Sequence, residues 1–480
     1  MPKDLTYDTN LVVASNRGPA RFFFDECGNL SQGRAGGGLA SNLADLLTNK
    51  NATWICAALS DDERNISKSY GKALEFNSID VFFVDLDRDK YSLSYDYLSN
   101  SILWFLYHSM FDRASRPTFD RDFLKAWEAY KYTNECFASK IIDHSPHGAT
   151  VLVQDYHLHL VAKYVKLVRP DLTIVHFIHT PFCEPSELEM LPPSQAREIL
   201  MGISEFDSCG FHSWRWKDNF LACCKELSVD PPRTFTACLG IDPQALERTN
   251  NSSQCETEAN QIKSLIVSNK LILRVDRIEP SKNVIRGFQA FDLMLDLYPQ
   301  FLGKVTFLAL LNPSRETLEE YKNYRDCLIA TVNEVNNKWL TYTSHTLEPG
   351  VDASWIPIRL EIADNFSRSV AAMRFYDVLL VNPVKDGLNL VAKEGPVINE
   401  RNGSVVLSRQ AGVFDELQGC VQPINPFDIL ETARCLGDSL ELPLQTKTHL
   451  HTLLLKGALA STPTSWLQAQ FGSISLNNTS

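Results

Sequence analysis

No CxxC pair occurs in the 480 residues, and the 12 cysteines stand singly apart from Cys223-Cys224. That spacing suggests neither a zinc site nor a disulfide framework, and reduced thiols in a cytoplasmic protein are the expectation. No apolar run approaches the ~20 residues that span a bilayer, so no membrane partner is expected. The N-terminus, MPKDLTYDTN, lacks the apolar core of a signal peptide. Positive charge is not in excess: 46 Lys and Arg against 58 Asp and Glu leave a net charge of −12. A nucleic-acid partner held by a general positive field is therefore excluded, while a local basic pocket for phosphates is not. Internal repeats and low-complexity segments are absent as well.

What is present is ordinary in bulk, 44% hydrophobic and 22% charged, but too long for one core. Two large domains are the expectation. Short apolar runs alternate with helical patterns in both halves. Leu11–Ser15, Thr53–Ala58, Val81–Val84, Thr150–Gln154 and Thr173–Ile178 read as strands of the first half. Leu271–Val275, Lys304–Leu311, Ile358–Ile362, Val378–Val381 and Ser404–Leu407 read as strands of the second. The pattern is α/β, with parallel sheets and a polar linker near residues 240–255. Leu188–Leu227 reads as helical, with Trp214, Trp216 and Phe220 on a packing face.

The densest stretch is Val381–Pro396, VNPVKDGLNLVAKEGP. A buried strand runs into a loop with Gly387 and then into a helical run from Leu388, with Glu394 about two turns in. Free N–H groups at such a helix start favour anions, and a carboxylate inside it suits sugar hydroxyls. The same pattern also describes an ordinary strand–turn–helix corner.

In open α/β sheets ligands bind beyond the C-terminal ends of the strands. Arg17 lies just past the first strand, Asp155 past Thr150–Gln154, and His179 past Thr173–Ile178. Arg277 and Lys282 follow Leu271–Val275, where two cations suit a diphosphate. Gly36-Gly37-Gly38 enters a helix, a pattern equally open to a flexible linker or an anion site. Tyr95, Trp104 and Tyr107 fall at helical spacing and are most simply core residues.

Together these pieces resemble the trehalose-6-phosphate synthase family of retaining glycosyltransferases. The likeness runs from Leu11-Val12-Val13-Ala14-Ser15-Asn16-Arg17 to the C-terminal helix. It is most specific in Asp386–Glu394 (DGLNLVAKE), Asp155-Tyr156-His157-Leu158, His179-Thr180-Pro181-Phe182 and Arg277 with Lys282. The resemblance implies a GT-B fold: two doubly wound Rossmann-like domains facing each other across a cleft. Residues 1–245 would bind the acceptor and 246–455 the nucleotide sugar, while 456–480 would cross back to the first domain as a helix.

It also implies roles. Arg277 and Lys282 would hold the donor diphosphate, with Asn389 and the amides of Leu390 and Val391 beside them. Glu394 would take the ribose, and Asp386 and His179 the hydroxyls of the transferred sugar. Gly37 and Gly38 join the donor set. Arg17, Tyr95, Trp104 and Arg315 would surround the acceptor phosphate, and Asp155 would orient the acceptor hydroxyls. Asp155, His179, Arg277, Lys282 and Asp386 are the catalytic set. The partners are then a nucleotide-sugar donor and a sugar-phosphate acceptor, with UDP-glucose and glucose 6-phosphate giving trehalose 6-phosphate. No metal and no cofactor is implied, and a homo-oligomer is compatible with everything read so far.

The sequence departs from the usual motif in several places. Glu279 stands for an aspartate, Asn283 for a glycine, and Lys385 for an arginine. The stretch after Trp54 lacks a second tryptophan. Some pieces, such as Lys282-Asn283 and Asn425-Pro426-Phe427-Asp428, also resemble the pseudo-glycosyltransferase branch. That branch would imply a cyclitol or polyol phosphate acceptor. A catalytically silent sugar-phosphate sensor is the third reading.

Overall fold

The computed structural model describes residues 10–34, 38–48, 50–70, 73–266, 270–346 and 354–475. The chain forms two compact units. One runs to Cys238 and resumes from Pro463; the other spans Leu239–Thr462.

The first unit holds β1 (Leu11–Ser15), β2 (Ala20–Phe24), β3 (Leu30–Arg34), β4 (Ala52–Ala57), β5 (Leu74–Phe76), β6 (Ile79–Val84), β7 (Thr150–Gln154), β8 (Thr173–Ile178), β9 (Ser208–Phe211) and β10 (Arg233–Thr236). Eight of these form a sheet in the order β10-β9-β8-β7-β1-β4-β6-β5, parallel but for β5. β2 and β3 pair as an antiparallel hairpin. β1 and β7 are buried at every position, which is what a parallel sheet covered on both faces demands of its central strands. Val12, Ala14, Val151 and Val153 meet Phe137 and Ile141 of the helix Arg121–His144 in one core.

The second unit holds β11 (Lys270–Arg277), β12 (Val305–Asn312), β13 (Ile358–Ile362), β14 (Val378–Val381), β15 (Ser404–Ser408) and β16 (Gln422–Ile424). They form a parallel sheet in the order β13-β12-β11-β14-β15-β16. Phe288, Phe291 and Met294 of the helix Val284–Leu297 pack with Phe307 of β12 in its core. In both units the first strand lies inside the sheet, and the chain winds outward from it on either side. That is the doubly wound Rossmann arrangement, and it fixes where ligands bind: at the strand exits flanking the reversal. The reversal falls between β1 and β7 in one unit and between β11 and β14 in the other.

Four expectations change. Leu188–Leu227 is not continuous helix: β9 interrupts the helices Pro193–Ser204 and Trp214–Glu226. Its small residues, Ser208, Cys209 and Gly210, carry no β-propensity signal, and the strand forms because β8 and β10 flank it. Trp214 is 54% exposed, so only Trp216 and Phe220 belong to the packing face. Residues 240–255 are largely helical, with Pro243–Asn250 capped by Asp242 and Ser253–Leu265 capped by Ser252, both inside the second unit. The polar run Asn250–Gln254 is the corner between those helices. Finally, Leu388-Asn389-Leu390 is loop. Asn389 takes a left-handed φ of 82°, the helix starts at Val391, and Glu394 therefore sits in its first turn.

The helix Pro463–Ser475 belongs to the first unit. Ser473 bonds Ser208 Oγ at 2.6 Å and accepts from Arg233 at 2.6 Å, and the Trp466 ring meets Phe177 edge-on. Among the described residues no helix is long and apolar enough to cross a membrane, and no cluster of His, Cys, Asp and Glu could hold a metal ion.

Candidate active site

The exits of β11, β12 and β14 carry a charged network. Arg274, within β11, is wholly buried. It pairs with Asp276 at 2.9 Å and also donates to Asn382 Oδ1 and to the Lys282 carbonyl. An arginine in an apolar strand thus ties the β11 exit loop to the β14 exit. Lys282 Nζ reaches Asp386 at 2.6 Å and Asp276 at 3.8 Å. Burial disfavours its charge, but Asp386 and Asp276 outweigh that and raise its pKa, so Lys282 stays an ammonium.

Asp386 is held from several sides. Its Oδ2 also accepts from Asn389 Nδ2 at 3.2 Å, and its backbone pairs in parallel with Ala411. Arg277 leaves the end of β11 with its side chain 56% exposed, and it pairs with Glu279 at 2.9 Å. Glu279 also meets Arg315 at 3.5 Å. Burial pushes the Glu279 carboxyl up, but Arg277, Arg315, Lys282 and the Ser314 hydroxyl overcome it and hold it down to about 2. Arg277 and Arg315 thus meet at Glu279, and Lys282 and Asn389 meet at Asp386, with the Lys282 backbone N–H donating to the Glu279 carbonyl between the two groups at 3.0 Å.

Two departures from the usual motif now have a physical account. Asn283 has φ 59°, a left-handed conformation that asparagine tolerates best after glycine. Its side-chain amide donates to Asn382 O at 3.0 Å and Pro426 O at 2.7 Å, contacts a glycine could not make. Glu279 is the hub between two arginines. Beside the cluster, the amides of Leu390 and Val391 open the helix Val391–Ile398. Glu394, half-buried in that first turn, is pushed up to about 7 by burial alone. Lys393 faces the other way and pairs with Glu416 and with Ser461 Oγ, which anchors the helix.

In the first unit the exits of β7 and β8 meet. Asp155 adopts φ 71° and ψ 169°, a region that is nearly glycine-only. It caps no helix; its Oδ1 accepts the His179 backbone N–H at 3.1 Å. The His179 ring bonds His212 Nε2 through Nδ1 and Gln154 Oε1 through Nε2, each at 2.9 Å. Burial, then His212 and His176, hold its pKa well below the usual value, so the ring is neutral. A neutral ring donates once, to the Gln154 carbonyl oxygen, and accepts from His212. A sugar hydroxyl reaches this ring only in exchange for one of those bonds.

Tyr95 lies on a π-helical stretch, Leu93–Leu103, stacked between Tyr91 and His157 with ring centroids 5.4 Å away on each side. Both of its faces are covered, so it offers a ligand its edge and hydroxyl. Tyr91 in turn donates to Asn16 Oδ1 at 2.9 Å, next to the exposed Arg17 at the β1 exit. Trp104 is 2% exposed and stacks on His108, so its ring is part of the interior. Tyr107 is core as well, donating to or accepting from His159. Ala57 stands where the usual motif has its second tryptophan, packed in the core with Val84 and Leu86. Gly36 and Gly37 lie outside the described residues, and Gly38 opens the helix Gly38–Leu47.

Sequence reading passed over Arg274, Asn382, Gln154 and His212. Arg274 had a signal, a charge inside the run Leu271–Val275. Gln154 and His212 had none, because a hydrogen bond between separate strand ends leaves no local trace.

The chain is similar to known proteins along nearly its whole length. The family model described as Glycosyltransferase family 20 matches residues 9–475. An alpha,alpha-trehalose-phosphate synthase [UDP-forming] of Schizosaccharomyces pombe is 30% identical, covering 98% of this chain and 92% of its own. A solved alpha,alpha-trehalose-phosphate synthase (UDP-forming) from Burkholderia xenovorans, in complex with glucose-6-phosphate, superposes with a TM-score of 0.81 at 25% identity, over 97% of this chain and 100% of that one. An E. coli structure bound with UDP-2-fluoro glucose gives 0.81 at 23% identity, over 97% and 99%. With its motifs at the strand exits of two Rossmann-like sheets and a family match along nearly its whole length, the chain is a GT-B hexosyltransferase and belongs to glycosyltransferase family 20, the family of the trehalose-6-phosphate synthases.

Proposed function

We propose that the protein transfers glucose, with retention, from a nucleotide diphosphate sugar, UDP-glucose foremost, to glucose 6-phosphate, forming trehalose 6-phosphate. The observation that carries this is the cluster at the β11–β14 reversal. There the Lys282 ammonium meets the Asp386 carboxylate, the Arg277 guanidinium leaves the end of β11, and the loop after Asp386 opens the helix Val391–Ile398. The departing diphosphate is met by Arg277, Lys282 and the amides of Leu390 and Val391. Asp386 takes hydroxyls of the transferred sugar, Asn389 stays with the donor set, and Glu394 takes the ribose. On the acceptor side, Arg17, Tyr95 and Arg315 take the phosphate, Trp104 supports that region from the interior, and Asp155 orients the acceptor hydroxyls, while His179 takes a hydroxyl of the transferred sugar. No carboxylate nucleophile is needed: as the diphosphate leaves, the acceptor oxygen enters on the same face, and a leaving-group oxygen takes its proton. The protein's share is positioning and electrostatic stabilisation. Among relatives, the S. pombe protein is named as UDP-forming, and the B. xenovorans structure holds glucose-6-phosphate.

A panel of nucleotide sugars against sugar and cyclitol phosphates, read by mass spectrometry, tests this. The expected product is a disaccharide phosphate from UDP-glucose and glucose 6-phosphate. Free glucose should react at least about 100-fold more slowly, because several charge-assisted bonds of roughly 1.5–3 kcal/mol each are lost. Equal rates with glucose and its phosphate would remove the phosphate pocket. Turnover confined to cyclitol phosphates would favour the pseudo-glycosyltransferase reading, for which Ala57 in place of a tryptophan is the motive.

Glu394 makes donor binding pH-dependent. Its carboxyl is protonated up to about pH 7 in the free protein. Ribose hydroxyls donate to the ionised form and favour it, so binding expels a proton below that pH. UDP affinity should be flat above pH 8 and weaken towards a limit of about tenfold per unit below pH 7. Calorimetric titrations of wild type and Glu394→Gln across pH 5.5–8.5 read this out, the variant losing the slope. A wild-type affinity independent of pH would take Glu394 out of the donor site.

A further inference from the structure

We propose that Glu279 is the positioning residue that aims both arginines of the cluster, so that one carboxylate oxygen sets the donor-side Arg277 and the acceptor-side Arg315 together. This rests on the roles given to those arginines under the proposed function. The geometry is specific. Glu279 is 2% exposed, and its Oε1 accepts a hydrogen bond from Ser314 Oγ at 2.9 Å while forming ion pairs with Arg277 Nη1 at 2.9 Å and Arg315 Nη1 at 3.5 Å; Arg315 Nη1 also donates to the Tyr321 hydroxyl. The convergence follows from the sheet. Arg277 and Asn312 are direct partners at the ends of β11 and β12, so the two exit loops start side by side. Arg315 is also held in a left-handed φ of 46°, which a non-glycine residue keeps only when its surroundings impose it.

Two effects of this carboxylate oppose each other. As a negative charge it weakens the pull of the cluster on phosphates. As a fixed acceptor it orients two long side chains whose rotamer freedom would otherwise be lost at binding. A guanidinium carries several donors in a rigid fork, so it can hold a carboxylate and a phosphate at once. If charge dominated, neutralising Glu279 would tighten phosphate binding; if orientation dominates, it weakens it. We take the second, because the oxygen is buried and shared by both arginines.

The test is steady-state kinetics on the full chain for Glu279→Gln, Glu279→Asp and Ser314→Ala, with melting temperatures alongside. Glu279→Gln should raise KM for the nucleotide sugar and for the phosphorylated acceptor about tenfold each, and cut the preference for phosphorylated over unphosphorylated acceptor about tenfold. Glu279→Asp, which keeps the charge, should recover part of both. Ser314→Ala should shift both KM values in the same direction by a few-fold, which preserves a readout if Glu279→Gln folds poorly. Unchanged or lowered KM values in a folded Glu279→Gln or in Ser314→Ala would overturn the proposal. Binding of inorganic pyrophosphate by calorimetry separates this from the wider reading. If wild type turns over no sugar pair yet binds pyrophosphate about tenfold more tightly than Glu279→Gln, the substrate assignment fails while the role of Glu279 stands. Equal pyrophosphate affinities would sink the role itself.

Discussion

Lys282→Ala and Arg277→Ala should each lower kcat by about 100-fold or more, a loss of roughly 3 kcal/mol of transition-state stabilisation. The two variants should part company in stability. Arg277 is more than half exposed, and its removal leaves Glu279 still paired with Arg315 and Ser314. Its melting temperature should stay close to wild type. Lys282 is 11% exposed and bridges Asp386 and Asp276. Removing it leaves two nearby carboxylates without their shared cation, at a cost of about 1–3 kcal/mol. Asp276, whose pKa burial already raises, should then take up a proton more readily, so the loss in Lys282→Ala should ease as pH falls. Thermal melts at two pH values together with single-turnover rates check both halves. Full turnover in either variant would dismantle the proposed diphosphate site; equal stability in both would refute the bridging role of Lys282.

Asp155 gives an effect of unusual sign. In most settings glycine is less stable than alanine, because the unfolded glycine chain is freer. Here the backbone at φ 71° and ψ 169° suits glycine and strains everything else. Strain of this kind is worth of order 1–3 kcal/mol. Asp155→Gly and Asp155→Ala both lose the bond to the His179 amide, so their difference isolates the backbone. The glycine variant should be the more stable by about 1–2 kcal/mol. Both should lose most activity, by about 100-fold or more, since the carboxylate proposed to orient the acceptor is gone in each. Denaturant melts and turnover on the two proteins decide it. An alanine variant at least as stable as the glycine variant would mean that the strain is relieved elsewhere. Retained activity in both would remove Asp155 from the acceptor site.

The central strands of both sheets were legible because parallel strands covered on two faces must be continuous apolar runs, as β1, β7, β12 and β14 are. β9 was not: Ser208-Cys209-Gly210-Phe211 is buried by neighbours from distant parts of the chain, and a short strand of small residues has no period of its own. The start of the helix at Val391 was likewise hidden. Leucine and asparagine alternate through Leu388-Asn389-Leu390 as a helix could, and bonds such as those of Asn389 to Asp386 and of the loop to Gly412 and Val413 hold it open.

The same division runs through the candidate site. Sequence alone determined which residues stand just past strand ends, because a strand's length and the polar residue that ends it are local properties. Arg17, Asp155, His179, Arg277 and Lys282 were all found in that way. Which of them answer one another was decided only by the tertiary structure. The order of strands brings the exits of β11, β12 and β14 together, and so pairs Lys282 with Asp386, and Arg277 with Arg315 through Glu279. It likewise lays β7 and β8 side by side, which joins Asp155 to His179 and His179 to Gln154. Pairing across strands depends on register and burial, and those are set by the whole sheet, not by any stretch of chain.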